Sequence, residues 1–393
     1  MPLDIPLIQR TLAIEGIDGW LLYDFHGSNP IAVNLAGLGG KKTTRRWYYF
    51  IPASGSPKKL VHAIEPATLD ALPGEKRTYA GRQQLEQGVT NLLIGSKIVA
   101  MEYSPECAIP YISRVDGGTI DLIRRIGATV ISSGDLVQRF EAIWDATQLA
   151  THRAASEKLY RIKDRTFAYV ADALAAGTAI DEFGVQQQMV RYFAEEKLIA
   201  DHAPIVGAQE HAGDPHYAPS STQSRPIRKN EILLLDLWGK LDQPGSVYAD
   251  ITWTGFTGDA PPAPFAKAFA TIAAGRDAAV ALVQKGAQDG GDTRGWQVDR
   301  VTRDVITAAG FGDKFIHRTG HSLGEEVHGN GVHMDDYETH DTRRLIPGTG
   351  FTIEPGIYTS EFGVRTEINM VVGEKDATVT GPLQAELTRI VKS

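Results

Sequence analysis

The sequence contains a single cysteine, Cys107, among its 393 residues. One cysteine cannot form an intrachain disulfide, so the fold does not require an oxidising compartment. No run of about 18 consecutive apolar residues occurs, which excludes a membrane-spanning helix. The N-terminal stretch MPLDIPLIQRTLAIEGIDGW also lacks the long apolar core of a secretory signal peptide. We therefore expect a cytoplasmic protein that has no membrane partner.

Basic residues are in the minority as well. The chain has 40 Lys and Arg residues against 48 Asp and Glu residues, a net charge of −8, which argues against nucleic acid as a partner. Hydrophobic residues make up 42% and charged residues 22%, a balance typical of globular domains that fill a large core. The length allows two or more domains of roughly 150 residues each.

The first part of the chain alternates between helix and strand patterns. PLIQRTLAIEG has the apolar spacing of a helix, and TIDLIRRIGATV is typical of a helix that runs into a strand. Four short apolar or alternating runs, bounded by Gly, Pro, Ser or Asn, predict strands: GWLLYD, WYYFIP, KKLVHAI and KIVAMEY. This pattern predicts a small α/β domain over residues 1–150.

A second domain is predicted over residues 151–393. The longest helical pattern of the chain starts near residue 146 and ends at Gly177, and IDEFGVQQQMVRYFAEEKLIA follows as a second helix. Beyond them, helices alternate with strand-like segments: EILLLDLW, YADITWTGF, TGFTIEPGIY and GVRTEINMVV. No internal repeat or low-complexity tract is visible.

The segment RTGHSLGEEVHGNG matches the G-x-S-x-G pattern of a serine-hydrolase nucleophile elbow at Ser322. Such an elbow follows a buried strand and precedes a helix. Here the preceding residues, DKFIHR, are too polar for a buried strand, and the glycine-rich residues that follow form helices poorly. The pattern therefore favours the histidines on either side of the serine, His321 and His328, as the chemical groups.

Four carboxylates occur in strand-like contexts around these histidines. Asp236 lies in ILLLDLW and Asp250 in YADITWT, while Glu354 lies in FTIEPGIY and Glu367 in VRTEINMVV. A charged carboxylate inside an apolar strand is costly unless it is paired or binds a metal. A single buried acid is more often a structural residue, but four acids together would crowd negative charge. Two divalent cations would resolve that crowding.

These motifs are similar to those of the pita-bread metallopeptidases, a family that includes prolidase (Xaa-Pro dipeptidase), aminopeptidase P, methionine aminopeptidase and creatinase. The matching segments, in chain order, are GDPHYAP, LLLDLWG with YADITWT, TGHSLGEEVHG, FTIEPGIY and VRTEINMVV. The resemblance implies an α/β N-terminal domain of the creatinase and prolidase type. It implies an α+β pita-bread (creatinase/aminopeptidase-like) catalytic domain after it.

The resemblance also implies a dinuclear metal site. The five metal ligands would be Asp236, Asp250, His321, Glu354 and Glu367. Asp236 would bind one metal ion and His321 with Glu354 the other, while Asp250 and Glu367 would bridge the two. The oxygen-rich ligand set suits Mn(II), and Zn(II) and Co(II) stay open.

Other residues match further active-site positions of the family. The resemblance gives His328 and His216 catalytic roles and makes Glu354 the proton acceptor. His328 would donate to the developing oxyanion. The family's substrate-binding positions are occupied by His317, Arg365 and Tyr358.

The sequence departs from the family pattern in two places. The spacing between Asp236 and Asp250 is longer than usual, and we expect the insert KLDQPGSVY to form a longer hairpin turn that moves neither strand. Its acid, Asp242, is not expected to be a ligand. Trp253 stands where the family often has arginine, which leaves a detail of substrate contact or strand packing open. His333 and His340 match no family position and are expected to be loop residues, and solvated loop charges are expected at Asp335, Asp336 and Asp341.

The implied reaction is hydrolysis of the Xaa-Pro peptide bond by a hydroxide that bridges the two metal ions. Proline's imide nitrogen has no N–H, and its ring fixes φ. An enzyme that cleaves this bond must therefore bind its substrate without a hydrogen bond from that nitrogen. His216 and His317 would hold the proline end of the substrate. The expected partner is a small peptide with proline at its second position.

Dipeptidase and aminopeptidase activities both stay open. A dipeptidase must bind a free terminal carboxylate, for which a bidentate arginine is the natural group. The candidates are two basic segments, GLGGKKTTRRWYYF with Lys41, Lys42, Arg45 and Arg46, and HDTRRLIPG with Arg343 and Arg344. A solvated loop is the plain alternative for the first segment, and Arg46 is its candidate substrate contact. We favour the dipeptidase because the N-terminal domain is short; the alternative is an Xaa-Pro aminopeptidase (aminopeptidase P) that acts on longer peptides.

Three other interpretations have less support. Creatinase-type hydrolases and non-catalytic pita-bread binding modules typically lack the metal ligands, whereas all five are present here. A methionine aminopeptidase is disfavoured by the added N-terminal domain. Relatives with this N-terminal domain commonly pair through it, so the resemblance implies a homodimer.

Overall fold

The structure is a computed structural model that describes residues 3–390. The chain forms two compact units that divide after Glu141. Residue 150, the predicted domain boundary, lies in the first turns of the helix Ala146–Ala175, and the predicted extents of the two domains stay predictions. Within residues 3–390, no helix has both the length and the apolar character needed to cross a bilayer.

The N-terminal unit is a six-stranded mixed sheet with helices on both faces. Its strands, in spatial order β4-β3-β2-β1-β5-β6, are β1 Gly19–Asp24, β2 Trp47–Pro52, β3 Lys58–His62, β4 Glu75–Tyr79, β5 Ile98–Met101 and β6 Thr129–Ser132. Its helices are α1 Ile5–Glu15, α2 Pro30–Leu35, α3 Arg82–Leu92, α4 Gly117–Ile126 and α5 Gly134–Val137, with a 3-10 turn at Pro105–Cys107 and a π-helical turn at Gln138–Ala142.

The central strands of this unit are apolar along their whole length because both faces are covered. Trp20 and Leu22 of β1 pack with α1, whereas Leu21 and Tyr23 pack with α3 and α4 on the opposite face. All the strands and helices predicted for this region are present. The sequence patterns miss β4, because four of its five residues are exposed and it shows no apolar alternation.

The C-terminal unit contains four long helices, α6 Ala146–Ala175, α7 Glu182–Glu196, α8 Ala263–Asp289 and α9 Gly295–Ala308. Its strands are β7 Leu198–Ile199, β8 Ile205–Ala208, β9 Ile232–Leu241, β10 Ala249–Phe256, β11 Ser322–Leu323, β12 Gly350–Ile353, β13 Gly356–Tyr358, β14 Gly363–Arg365, β15 Ile368–Val372, β16 Ala377–Val379 and β17 Thr388–Arg389, and 3-10 turns lie at Gln209–Gly213 and Gly312–Lys314.

Three sheets are formed by these strands. The first has the order β17-β10-β9-β7 with β8 also paired to β9, the second has the order β11-β12-β15-β16, and β13 pairs with β14 in the third. Helix α6 packs on β9 and β10 through a shared core that contains Leu159, Ile162, Leu235 and Ile251. The helix begins at the N-cap Asp145, whose side chain accepts from the Gln148 N–H at 2.8 Å.

Two of the predicted strands are interrupted. TGFTIEPGIY forms β12 and β13 with Glu354 and Pro355 between them, and GVRTEINMVV forms β14 and β15 with Thr366 and Glu367 between them. The two interruptions face each other, because β12 pairs with β15 and β13 pairs with β14. Proline has no N–H to donate to the ladder, so a break beside Pro355 is expected. Both glutamates thus lie where the strand pairing changes.

The insert between β9 and β10 forms a turn and leaves both strands in register, as expected. Ala249 pairs with Gly239, and the antiparallel pairing continues to Phe256 opposite Ile232. Gly245, in the turn, has a φ of 76°, a conformation that favours glycine. Asp242 is exposed in this turn, away from the buried acids on the strands.

Trp253 packs between a strand and a helix. It alternates with Asp250, Thr252 and Thr254 along β10 and lies on the face covered by α6. The buried ammonium group of Lys163 lies 3.8 Å from the centre of the indole ring, a cation–π contact. The residue that departs from the family pattern therefore contributes to strand packing.

We predict that Trp253→Arg lowers the free energy of unfolding by about 2–4 kcal/mol, because it places a second cation beside a buried ammonium group. Urea unfolding measures the change. Trp253→Phe is the control, since it keeps an aromatic face for Lys163 and should cost about 1 kcal/mol. An arginine variant as stable as the phenylalanine variant would contradict this account of the packing.

Candidate metal centre

Two of the predicted ligands lie on neighbouring strands. Asp236 of β9 and Asp250 of β10 are buried and point away from α6, because Leu235, Leu237 and Ile251 fill the core on the α6 side. Asp236 is paired with Thr252, two residues beyond Asp250. The antiparallel hairpin therefore places both carboxylates on one face at diagonal positions.

The two glutamates reach the same face from the strand interruptions. The Glu367 N–H donates to the Thr252 carbonyl at 3.0 Å, and the Thr252 hydroxyl donates to Glu367 Oε2 at 2.7 Å. The Glu354 N–H donates to the Thr319 carbonyl at 2.7 Å, and the Thr352 hydroxyl donates to Glu354 Oε1 at 3.1 Å. Because these N–H groups bond to Thr252 and Thr319 and not to the paired strand, the glutamates are held by other elements of the unit.

His321 brings an imidazole to these carboxylates. Its Nε2 lies 3.5 Å from Asp250 Oδ2 and 3.4 Å from Glu354 Oε1. The other ring nitrogen, Nδ1, lies 3.2 Å from the Ser322 carbonyl, so Nδ1 carries the proton and Nε2 is free to act as a metal ligand. The His321 N–H donates to the Thr352 hydroxyl at 2.9 Å, which fixes the backbone beside the ring.

Ser322, the serine of the G-x-S-x-G pattern, is buried beside His321. Its buried Oγ accepts from the Gly331 N–H at 3.0 Å, and it belongs to a strand of two residues. It supports the loop that follows.

The five predicted ligands come together in this face. Ligand atoms of Asp250, His321 and Glu367 all lie within 4.8 Å of one another. Within residues 3–390, Asp250 Oδ1 and Glu367 Oε1 are buried without a hydrogen-bond partner, which is costly for a carboxylate. Carboxylate oxygens and one imidazole form a donor set that suits Mn(II) and also Zn(II). The residues present therefore fit a divalent cation.

Burial raises the pKa of every carboxyl group in this set. The pKa rises to about 6 for Asp236 and to about 7 for Asp250, and in both cases burial is the main cause. It also rises for Glu354, and it rises well above the usual range for Glu367, where the neighbouring Asp250 and Glu354 add to burial. The charged form of each acid is therefore disfavoured at the site unless cations enter it.

Arg365, Tyr358 and His317 form a hydrogen-bonded chain beside the carboxylates. The Arg365 guanidinium donates to Asp236 Oδ2, to the Thr252 hydroxyl at 2.9 Å and to the Tyr358 hydroxyl oxygen at 3.2 Å. The Tyr358 hydroxyl lies 2.7 Å from His317 Nε2. Burial lowers the pKa of His317 to about 3, so the ring is neutral and its Nε2 accepts from the tyrosine.

The two predicted catalytic histidines lie nearer to solvent. The rings of His328 and His321 pack edge to face with their centres 4.4 Å apart. His328 reaches solvent, but its ring also packs on protein atoms, and this desolvation is the main cause that lowers its pKa to about 3. His216 is exposed, and its electrostatic effect is among the lesser causes that lower the pKa of His328. His328 therefore borders the carboxylate cluster through its contact with His321, and His216 is near enough to His328 to act on it.

The prediction of solvated loop charges is wrong for Asp335 and Asp341, which are fully buried. Asp335 accepts from the N–H groups of Tyr337 and Glu338, each at 2.9 Å, and so folds its own loop. Asp341 accepts from the His333 N–H at 2.9 Å. Short polar side chains often bond to nearby backbone in this way, and polarity alone did not reveal it.

Three further residues of this loop, His333, Asp336 and His340, differ in how deeply they are buried. His333 is a loop residue as expected, but it is buried, and its Nδ1 accepts from the Ser322 N–H at 3.1 Å. His340 is exposed and lies 2.6 Å from the Asp336 carboxylate, which is partly buried.

The basic candidates for carboxylate binding differ in how strongly they are held. Arg343 is buried and bonds Asp341 through both Nε and Nη2, so its guanidinium is committed to the loop. Lys41, Lys42 and Arg45 are exposed. The Arg46 carbonyl accepts from the Tyr79 hydroxyl at 2.8 Å, which fixes its backbone, and its role in substrate binding stays a prediction.

Glu182 holds the segment that carries His216. The sequence pattern does not predict this role, because it shows only that Glu182 lies at the start of a helix. Glu182 is fully buried, and its carboxylate accepts from the N–H groups of Ala208 at 2.7 Å and Arg225 at 2.9 Å. It also accepts from the Tyr217 hydroxyl at 2.6 Å. A single acid thus ties both ends of the segment that carries His216 to α7.

Comparisons with known proteins agree with this architecture. A family model described as "Metallopeptidase family M24" matches residues 154–374, more than half of the chain. The probable dipeptidase PepE of Mycobacterium tuberculosis (strain ATCC 25618 / H37Rv) is 25% identical over 352 residues, which cover 86% of this chain and 84% of the relative.

Two solved structures have a similar fold. The crystal structure of dipeptidase PepE from Mycobacterium ulcerans has a TM-score of 0.68 and 23% identity, with 100% of each chain covered. The Xaa-Pro dipeptidase from Bacillus anthracis has a TM-score of 0.61 and 20% identity, with 98% of this chain and 99% of that chain covered. The predicted fold class, an α/β domain with a pita-bread domain, is confirmed.

We predict that the metal-free protein loses stability as the pH rises. The folded state holds Asp236 and Asp250 with pKa values of about 6 and about 7, above the ordinary aspartate value of 3.8, so the stability that these two groups contribute is greatest at low pH and falls between about pH 4 and pH 7. Melting temperatures in chelator at pH 5.5 and pH 8 measure the slope. Added Mn(II) should remove it.

Asp250→Asn removes one of these charges and should stabilise the metal-free protein at pH 8 by about 2 kcal/mol. Asp242→Asn, in the exposed turn of the same hairpin, should leave stability unchanged. A metal-free Asp250→Asn protein that is less stable than the parent at pH 8 would show that the carboxylate is not under electrostatic strain.

Proposed function

The chain belongs to metallopeptidase family M24, and on this basis we propose that it is an Xaa-Pro dipeptidase that uses two divalent metal ions. The observation that carries the proposal is the buried cluster of four carboxylates and one imidazole, with two carboxylate oxygens that lack a partner within the described residues. A fold without bound cations gains nothing from such a cluster.

The five residues that would hold the metal ions are Asp236, Asp250, His321, Glu354 and Glu367. Their oxygen-rich donor set favours Mn(II). When bound, such ions supply Lewis acidity and lower the pKa of a water molecule, which makes a nucleophile available at neutral pH.

The side chains around this cluster have distinct tasks in the proposed reaction. Glu354 accepts the proton of the attacking water, because it is the least buried of the four acids. Neutral His328 donates a hydrogen bond to the oxygen that gains charge at the scissile carbonyl. His216, which is exposed, and His317, held by Tyr358, orient the proline end of the substrate.

Proline specificity follows from the chemistry of the bond. The imide nitrogen cannot donate a hydrogen bond, and the ring restricts the backbone, so a rigid site lined by rings and neutral histidines suits it. The dipeptide preference draws support from the relative named a probable dipeptidase and from the similar structure described as an Xaa-Pro dipeptidase. We further propose a cytoplasmic homodimer in which Arg46 binds the terminal carboxylate of the substrate.

A substrate panel tests the activity. The Mn(II)-loaded protein should cleave an Xaa-Pro dipeptide and leave an Xaa-Pro tripeptide and a Met-initiated peptide intact, since the free carboxylate must be on the proline residue itself. A chelator should abolish cleavage, and Mn(II) should restore it. Comparable cleavage of the tripeptide would instead identify an aminopeptidase, and no cleavage of any peptide by loaded protein would overturn the proposal.

His328→Asn should lower kcat by about 10²–10³-fold with little change in metal affinity, because it removes a donor to the transition state and no ligand. Steady-state kinetics on the dipeptide and Mn(II) titration measure the two effects. His340→Asn, an exposed histidine of the same loop region, is the control and should match the parent. Equal kcat for both variants would exclude His328 as the oxyanion donor.

A further inference from the structure

An ion pair on α9 lies next to the candidate metal centre and takes no part in the proposed reaction. Asp299 and Arg303 are one helical turn apart, with Arg303 Nε 3.0 Å from Asp299 Oδ2 and Nη2 3.0 Å from Oδ1. Asp299 is fully buried. The neighbouring Val298, Thr302 and Ile306 anchor the same helix in the core, so the pair is on a rigid element.

The remaining donors of Arg303 hold the backbone before His321. Nη1 donates to the Phe315 carbonyl at 2.9 Å, and Nη2 donates to the His317 carbonyl at 2.8 Å. The guanidinium carbon lies 4.2 Å from the centre of the Phe315 ring and 4.3 Å from that of Tyr337. This arrangement uses the planar fork of arginine and its stacking faces, which lysine lacks.

The acceptors of Asp299 hold the next residues of the same segment. Asp299 Oδ1 accepts from the Thr319 N–H at 2.9 Å and from the Thr319 hydroxyl at 2.7 Å. The Thr319 carbonyl in turn accepts from the Glu354 N–H at 2.7 Å. One carboxylate on α9 is therefore connected through a single residue to the backbone of a candidate ligand.

Close packing passes this constraint on to His321. Gly320 lies so near β12 that a Cβ on it would meet the Thr352 carbonyl oxygen at 2.0 Å. Thr352 also accepts from the His321 N–H through its hydroxyl at 2.9 Å. The segment from residue 315 to residue 321 is thus fixed between α9 on one side and β12 on the other.

We propose that Asp299 and Arg303 are positioning residues for the metal centre: through the backbone of residues 315–319 they set the positions of His317, His321 and Glu354. The inference rests on the proposed function for the metal that these ligands hold. A buried ion pair adds little net stability relative to apolar residues, whereas outer residues that orient ligands typically change metal affinity 10–100-fold.

Arg303→Lys tests the proposal with the charge retained. Titration of the chelator-treated protein with MnCl₂, followed by the EPR signal of free Mn(II), should show 10–100-fold weaker binding. Arg300→Lys is the matched control, because Arg300 is on the same helix, is exposed and pairs with the partly buried Asp336; it should bind as the parent does. Met189→Ala, in the buried core of α7, controls for a general loss of stability.

Hydrogen exchange of the metal-free protein gives a measure that needs neither metal nor substrate. In Arg303→Lys, the peptides that contain the amides of Thr319 and Glu354 should exchange faster than in the parent, while both controls should keep them protected. Thr319→Val, which removes one donor to Asp299 and keeps the backbone N–H, is the milder variant if Arg303→Lys does not fold, and it should show a smaller change in the same direction.

The outcomes separate the two proposals. Unchanged exchange and unchanged Mn(II) affinity in Arg303→Lys would overturn the positioning role. Equal weakening in Met189→Ala would overturn it too, since general destabilisation would then suffice. If the parent binds Mn(II) but cleaves no Xaa-Pro peptide, the proposed function fails while the positioning role still stands on affinity and exchange. If the parent binds no Mn(II), the proposed function and the positioning role are both overturned.

Discussion

Repulsion among four buried carboxylates is the interaction to which the rest of the C-terminal unit responds. Burial and repulsion from Asp250 and Glu354 hold the pKa of Glu367 well above its usual range, and burial raises the pKa of Asp250 to about 7. In the absence of cations this cluster opposes folding. The apolar cores on the two sides of the sheet must therefore supply the stability that the site removes, and divalent ions would return part of it.

The scaffold holds the site by attaching each ligand to a different element. The N–H groups of Glu367, Glu354 and His321 all bond outside their own strands, to Thr252, Thr319 and Thr352 in turn. These bonds fix the backbone of the three ligands. The hydroxyl groups of Thr252 and Thr352 also donate to the carboxylates of Glu367 and Glu354. Such ties allow groups that repel one another to keep their places before any cation binds.

Membership of the metallopeptidase family and the geometry of the cluster address different questions. The family explains why a protein would keep these acids together. The geometry shows how each acid is held and which groups surround it, including the neutral His317 and the committed guanidinium of Arg343. A dipeptidase needs a nucleophile and also groups that bind the two ends of the substrate. Those groups lie outside the acid cluster.

The sequence pattern determined that Asp236 and Asp250 lie on buried strands, and the family resemblance of its motifs implied the full set of five residues. An acid inside ILLLDLW or YADITWT can only be reconciled with its apolar neighbours by a buried partner, so the local pattern was informative. Tertiary structure alone decided that Glu354 and Glu367 lie at facing strand interruptions, that Trp253 packs under Lys163, and that Asp335 and Asp341 are buried. Those outcomes depend on contacts between residues that are far apart in the chain, whereas periodicity describes only residues that are close together in the sequence.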